Sequence, residues 1–167
     1  MIVMRKNSSK FGKSTNDIAP VCNVDIKRYL GTWYEIARFP HFFEAGLEYV
    51  TATYNLKSNA KIEVINSGLK NEEKKVVSGE AWIPDINCTG KLLVRFFWPF
   101  KSEYNIILLD EKEYSYSVVT SDSMNYLWIL SRKPKISKEL YDYLIAFVSS
   151  KGFDAAKIIK VKQSDNQ

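Results

Sequence analysis

Eight short runs rich in β-branched and aromatic residues follow one another through most of the chain, and they limit the available folds more than any other feature. The links between the runs are short and carry turn residues such as Asn, Asp, Ser and Pro. Consecutive strands with hairpin-length links pair as an antiparallel meander. The predicted strands are 31–39, 48–56, 61–68, 75–83, 91–98, 103–110, 114–120 and 126–132.

Eight such strands can close into a barrel that leaves no exposed edge. After the last strand the apolar spacing changes from two to three and four, which is typical of one face of a helix. The apolar positions are Leu140, Tyr143, Leu144, Phe147 and Val148. Ser137 is a suitable N-cap, Gly152 a suitable stop, and 157–161 a final short strand. We therefore predict an all-β fold, an eight-stranded antiparallel up-and-down β-barrel with a flanking C-terminal α-helix.

The first part of the chain differs from the rest in composition. Residues 1–20 lack apolar periodicity and are predicted to be a flexible leader, followed by one barrel domain at 21–167. The net charge of the chain is +5. The leader holds four basic residues and Asp17, a net of +3, which leaves +2 for the barrel domain. Because no Lys/Arg cluster is suited to binding phosphates, nucleic acid is not an expected partner. No apolar core of a signal peptide is visible in the first residues.

Three segments resemble the three sequence signatures of the lipocalin family, in the same order. They are Tyr29–Pro40 with its Gly-x-Trp, Asp110 with Tyr114 and Tyr116 in a degenerate second signature, and Tyr126–Arg132, which ends in an arginine. Within the family the chain is most similar to bacterial lipocalins of the apolipoprotein D type, which bind fatty acids or lysophospholipids. The resemblance implies the same fold, a carrier function and a location in the cell envelope or periplasm.

The resemblance also implies roles for particular residues. Gly31, Trp33 and Arg132 correspond to the structural signature, in which the arginine covers the indole at the closed end of the barrel and contributes about 0.5–2 kcal/mol. The family's ligand-binding positions on five strands correspond to Tyr54, Asn66, Phe96, Tyr104 and Trp128. These side chains would form an aromatic cup for a small hydrophobic ligand. The alternative is that the rings only fill the core of the barrel.

Two further sequence features fall in predicted loops. His41, the only histidine of the chain, lies in the first loop, where it either meets a ligand headgroup or is an ordinary loop residue. The segment 98–100, Trp-Pro-Phe, either forms part of the rim and a contact surface or packs locally. The basic net charge leaves attraction to anionic lipid headgroups, and so peripheral membrane association, possible, and both a monomer and a homodimer remain open.

An enzyme would need a reactive group of residues, and the sequence offers little. One histidine excludes a multi-histidine metal site, no Gly-x-Ser-x-Gly or glycine-rich phosphate loop occurs, and we expect no catalytic residue, metal or cofactor. Cys22 and Cys88 either pair or are both free. The best enzyme alternative is a thiol-dependent lipid-modifying enzyme, although neither cysteine is predicted to lie in the cup. A protein-interaction module is the third alternative.

Overall fold

The computed structural model describes residue 15 and residues 17–164, and it contains all eight predicted strands. The strands are β1 Gly31–Arg38, β2 Glu48–Leu56, β3 Ile62–Lys70, β4 Glu73–Trp82, β5 Lys91–Phe97, β6 Phe100–Leu109, β7 Tyr116–Thr120 and β8 Leu127–Ser131. The helix α1 Ile26–Tyr29 precedes β1, the helix α2 Lys138–Ser150 follows β8, and a short β9 Ile159–Lys160 ends the fold. Two 3-10 helices, Phe42–Glu44 and Ala155–Lys157, lie in connections.

The sheet closes on itself. Neighbouring strands pair antiparallel from β2 in sequence order to β8, and β1 pairs with both β8 and β2. The prediction of an eight-stranded up-and-down barrel is therefore confirmed, with β9 added outside against β1. Because every strand reverses direction, alternate connections share an end. We call the end with α1 the closed end, and the end with the β1–β2, β3–β4, β5–β6 and β7–β8 connections the open end.

The strand bounds differ from the predicted ones where the backbone turns sharply. The β3–β4 hairpin is tighter than predicted, since Asn71 and Glu72 both take positive φ, 52° and 66°, as a two-residue hairpin turn requires. β7 begins two residues later than predicted. Tyr114 has φ of 54°, and the Asp110 carboxylate accepts hydrogen bonds from the backbone N–H and the hydroxyl of Ser115. This loop therefore ends the pairing before Tyr116.

Two large apolar cores flank the sheet, beside a small third cluster of Leu47, Val50 and Val161. One fills the barrel, and the other lies between α2 and the outer face of β1, β6, β7 and β8. Ser137 caps α2 by accepting a hydrogen bond from the Leu140 N–H at 3.1 Å, and Leu144 and Val148 are fully buried. Tyr143, predicted to share this face, is half exposed, because it lies about 100° round the helix from Leu144. No helix within residues 17–164 is long and apolar enough to cross a membrane.

The chain packs against the barrel before residue 20. The Thr15 hydroxyl donates to the Ser121 carbonyl at 2.6 Å, Ile18 packs against the outer core, and the Val21 N–H donates to the Ile106 carbonyl at 2.8 Å. The described part of the predicted leader thus contacts the barrel. Residues 1–14 and 16, the rest of that leader, lie outside the described residues.

Arg132 closes one end of the barrel. Its guanidinium lies 3.9 Å from the centre of the Trp33 ring and donates to the backbone carbonyls of Thr32, Arg28 and Tyr29 at 2.8–3.2 Å. Gly31 has φ of 94°, and a Cβ there would lie 3.3 Å from Arg132 Nη1. A side chain at this position would be both strained and crowded, which explains the glycine of the first signature.

The two cysteines, left open by the sequence, form a disulfide that ties the segment before α1 to the β4–β5 connection. Beside it the Thr89 hydroxyl donates to the Val24 carbonyl at 2.8 Å. The segment before α1, which we call the strap, lies close to the β4–β5 connection. A Cβ on Gly90 would lie only 2.0 Å from the Val21 carbonyl oxygen. Disulfide, hydrogen bonds and glycine together hold the strap over the closed end.

Candidate ligand cavity

The lumen of the barrel is an apolar cup lined by the inward-facing side chains of the strands and by α1. Alternate residues of a strand share a face, so each strand contributes one to three of them. The lining residues are Ile26, Tyr29, Leu30, Glu35, Ala52, Tyr54, Ile62, Val64, Asn66, Ala81, Leu92, Val94, Phe96, Tyr104, Val119, Trp128 and Leu130. The free volume between them is about 30 Å³, room for about two water molecules. The cup is therefore narrow.

All five residues predicted to bind ligand line this cup. Tyr54, opposite Gly31 in the register, lies at the floor near α1, while Trp128, opposite Arg38, lies towards the open end. Tyr54, Asn66, Tyr104 and Trp128 are all buried. These four residues lie on four different strands. They face one another across the lumen because the sheet closes into a barrel.

The floor of the cup carries a row of hydroxyl groups. The Tyr29 hydroxyl lies 2.8 Å from that of Tyr104 and 3.1 Å from that of Ser117, and the Tyr54 hydroxyl lies 2.9 Å from that of Tyr104. Burial raises the pKa of Tyr29 to about 12 and holds the pKa values of Tyr54 and Tyr104 well above their usual range. The phenols therefore stay protonated and neutral.

A buried group of charges lies at the open end. Arg38 donates to the Glu35 carboxylate at 2.8 Å and to the Glu44 carbonyl at 2.6 Å. The Glu44 carboxylate accepts from Trp128 Nε1 at 3.2 Å and lies 2.7 Å from His41 Nε2. Burial, then the nearby charge of Glu44, raises the pKa of Glu35 well above its usual range, against the effect of Arg38. These contacts hold the 3-10 helix Phe42–Glu44 of the β1–β2 connection against the wall of the cup.

Sequence reasoning missed Tyr29, Glu35, Arg38 and Glu44. Glu35 shares the inward face of β1 with Trp33, so strand parity alone could have found it. Glu44 follows no periodic pattern, and its burial depends on how the loop folds over the mouth. No pattern of the sequence signals that position.

The structure shows where His41 and the segment 98–100, both predicted to lie in loops, are positioned. His41 packs beside Tyr126 and Trp128, with ring centres 5.7 Å apart in both pairs, and its side chain is 8% exposed. Trp98 is 81% exposed at the tip of the β5–β6 connection. The histidine is therefore part of the packed wall at the mouth, while the tryptophan stands out into solvent.

No cluster of His, Cys, Asp or Glu suited to a metal ion occurs in the described part of the chain. Both cysteine sulfurs are bonded to each other at the closed end, and neither residue lines the cup. What the arrangement offers is an apolar space with a few hydrogen-bonding groups, suited to holding a small hydrophobic molecule.

A family model described as a lipocalin-like domain matches residues 24–163, nearly the whole described chain. The chain belongs to the lipocalin family. Lipocalins bind small hydrophobic ligands, and they are typically carriers rather than enzymes. The guanidinium of Arg132 over the buried Trp33 ring and the apolar cup of this lipocalin agree with that assignment.

Relatives of this lipocalin include bacterial and animal proteins. Outer membrane lipoprotein Blc of Citrobacter freundii is 46% identical over 148 residues, 87% of this chain and 83% of the relative. Apolipoprotein D of Bos taurus is 36% identical over 143 residues, 81% of this chain and 75% of the relative. The predicted resemblance to bacterial lipocalins of the apolipoprotein D type is thereby confirmed.

Solved structures agree on the fold. Insecticyanin from the tobacco hornworm Manduca sexta superposes with a TM-score of 0.74 at 24% sequence identity, over 92% of this chain and 88% of that chain. At this identity the similarity concerns the fold alone. It supports the closed barrel and carries nothing about the ligand.

Proposed function

We propose that this lipocalin binds and carries single-chain lipids, fatty acids or lysophospholipids, with the acyl chain in the barrel. The observation that carries the proposal is the narrow, apolar and aromatic lumen with one open end. A thin flexible chain can pass between side chains that change rotamer, whereas a broad rigid ring system needs the strands to move apart. Because the free volume is only about 30 Å³, lining side chains must change rotamer to admit any ligand, and a flexible acyl chain needs the smallest change.

The energetics of an acyl chain are sufficient. Burying about ten methylene groups contributes on the order of 8 kcal/mol at ~0.8 kcal/mol each. That corresponds to roughly micromolar affinity before the cost of ordering the chain and opening the cup. No ion pair to the ligand is needed, so the polar atoms of Asn66, Tyr54 and Tyr104 are left to tune selectivity.

The disulfide argues against the thiol-enzyme alternative. That alternative needs a free cysteine inside the cup, and the chain has only two cysteines, bonded to each other at the closed end. The main support for the interaction-module alternative among the described residues is the group of exposed aromatic side chains at the open end. A carrier function accounts for both the cup and that surface.

Trp128 offers a direct test of ligand entry. Titration with hexadecanoic acid or its lysophosphatidylcholine is expected to shift or quench tryptophan emission, because the acyl chain removes water from beside the indole. Trp128→Phe should abolish most of the signal. Trp82→Phe is the matched control, since Trp82 is absent from the cup lining and lies beside Arg95 on the outer face.

Two results of this titration would count against the proposal. If neither lipid binds, the acyl-carrier function is rejected. If both lipids bind but the Trp128→Phe protein gives the same emission change as the wild type, the ligand lies outside the cup.

We further propose that the cup is loaded at a bilayer surface. Large apolar side chains stand exposed at the open end, with Trp98 at 81%, Phe42 at 76%, and Phe97 and Phe100 at 54% each. Aromatic rings of this kind partition into the membrane interface. Because they stand on two of the four connections at the mouth of the apolar cup, a lipid could pass from the bilayer into the cup there without crossing water. Lys101, exposed in the same turn region, suits an anionic headgroup.

The bilayer proposal is tested with vesicles of phosphatidylcholine containing phosphatidylglycerol and labelled lysophospholipid. Trp98→Ser should reduce both cosedimentation and the rate of lipid uptake several-fold. Ile86→Ser is the control, since Ile86 is 78% exposed at the closed end. If Trp98→Ser leaves uptake unchanged, or changes only the oligomeric state, the surface is not a membrane contact. The relatives named outer membrane lipoprotein support a place in the cell envelope for this chain.

A further inference from the structure

The hydroxyl row at the floor of the cup has one hydrogen more than it uses. In order, the row runs Ser117, Tyr29, Tyr104, Tyr54, with three hydrogen bonds of 3.1, 2.8 and 2.9 Å. Each hydroxyl donates one hydrogen and accepts up to two. Four hydroxyls therefore supply four hydrogens to three bonds, and one O–H always remains without an acceptor inside the row.

The position of the remaining hydrogen follows from the two ends of the row. Ser117 is fully buried, and among the described residues its hydroxyl has Tyr29 as its only partner. A free hydrogen there would cost about 1–3 kcal/mol as a buried unsatisfied donor. Tyr29 and Tyr104 already have neighbours on both sides. Tyr54 has a single partner, so its oxygen has an open direction for donation, and Tyr54 lines the cup.

The row is held in place by the closed end of the barrel. The Tyr29 carbonyl accepts from Trp33 Nε1 at 2.9 Å and from Arg132 Nη2 at 3.2 Å. The rings of Tyr29 and Trp33 lie 4.8 Å apart. A donor whose supporting neighbours are already fixed loses little freedom when a ligand accepts from it.

We propose that the Tyr54 hydroxyl is a hydrogen-bond donor for the buried end of the ligand, selecting acyl chains that carry an uncharged oxygen near their far end. Hydroxy, keto and ether oxygens fit this chemistry. An anionic group does not, because an unpaired negative charge buried at this apolar floor is costly. The inference rests on the proposed carrier function, since it needs an acyl chain that reaches the floor.

The decisive comparison uses two isosteric ligands, octadecanoic acid and 16-methoxyhexadecanoic acid, in which one oxygen replaces one methylene group. The ether accepts a hydrogen bond but donates none. Without a donor at the floor, the ether should bind more weakly than the alkyl chain, because its oxygen loses water on burial. With Tyr54 donating, the ether should bind at least as tightly as octadecanoic acid to the wild-type protein.

Tyr54→Phe removes only the hydroxyl. It should weaken binding of the ether about 5–20-fold and that of octadecanoic acid less than about twofold, as expected for one buried hydrogen bond. Ser117→Ala is the matched control, since it removes a hydroxyl from the other end of the same row and leaves Tyr54 free to donate. It should leave the ratio of the two affinities unchanged.

The outcomes separate the inference from the function on which it rests. If neither ligand binds the wild-type protein, the carrier function fails and the inference fails with it. If octadecanoic acid binds and the ether binds more weakly than it to the wild type, only the inference is overturned. If Tyr54→Phe and Ser117→Ala change the ratio equally, the row acts through packing and the inference is again wrong. The comparison in the wild-type protein stands even if Tyr54→Phe does not fold.

Discussion

The two ends of the barrel use similar residue types in opposite ways. At the closed end a cation and an aromatic ring are combined, Arg132 over Trp33, and the guanidinium also binds backbone carbonyls. At the open end the charges of Arg38 and Glu44 are buried under a loop while Trp98 is exposed to solvent. The Arg132–Trp33 pair thus satisfies its groups within the fold, whereas the open end exposes a group of four aromatic side chains. The contrast indicates that stability is concentrated at one end and ligand exchange at the other.

The largest expected effect is loss of the disulfide at the closed end. It joins residues 66 positions apart, so removing it in a Cys22→Ser, Cys88→Ser protein should lower the free energy of unfolding by about 2–4 kcal/mol. Lipid affinity of the folded protein should stay within a few-fold, because the bond lies outside the cup. Urea denaturation and lipid titration measure the two quantities. An unchanged unfolding free energy would remove the disulfide from the stabilising features of this end.

Arg132→Ala should have the next largest effect, a loss of about 2–3 kcal/mol of unfolding free energy, from the ring contact and the carbonyl hydrogen bonds together. Arg95→Ala is the control, because Arg95 lies 5.5 Å from the centre of the Trp82 ring on the partly exposed outer face and should cost at most about 1 kcal/mol. Chemical denaturation of both variants measures the two losses of unfolding free energy. Equal losses would show that the closed end gains nothing from the closer ring contact and the carbonyl hydrogen bonds of Arg132.

The smallest expected effect belongs to the open end. Trp98→Ser should change the free energy of unfolding by no more than about 0.5 kcal/mol, because a side chain that is 81% exposed contributes little to the core. Thermal denaturation beside Ile86→Ser provides the measurement. A large loss would mean that Trp98 supports the fold, and the proposed division between the two ends would not hold.

The fold was predictable because its signals are local. Strands appear as short runs of β-forming residues, and α2 appears as apolar spacing of three and four after Ser137. The resemblance named Tyr54 and Trp128, and the alternation of side chains along a strand explains why both line the lumen. The later start of β7 was not predictable in this way, because the positive φ of Tyr114 depends on the loop around Asp110.

The candidate site was predictable in part. Tyr104 and Asn66 followed from the lipocalin resemblance, whereas Tyr29 lies on a four-residue helix with no strand parity to point it into the lumen. The burial of Glu44 was hidden as well, because its partners His41 and Trp128 lie on different segments that meet only at the mouth.

By itself the sequence determined the number and order of the strands, the helix that follows them and the lipocalin signatures. These follow from periodicity and residue type, which neighbouring residues decide. Only the tertiary structure decided the Cys22–Cys88 bond, the charges beneath the mouth loop and the hydroxyl row ending at Tyr54. Each of these depends on closure of the barrel, because β1 must meet both β8 and β2 before residues far apart in the chain come within hydrogen-bond or bonding distance.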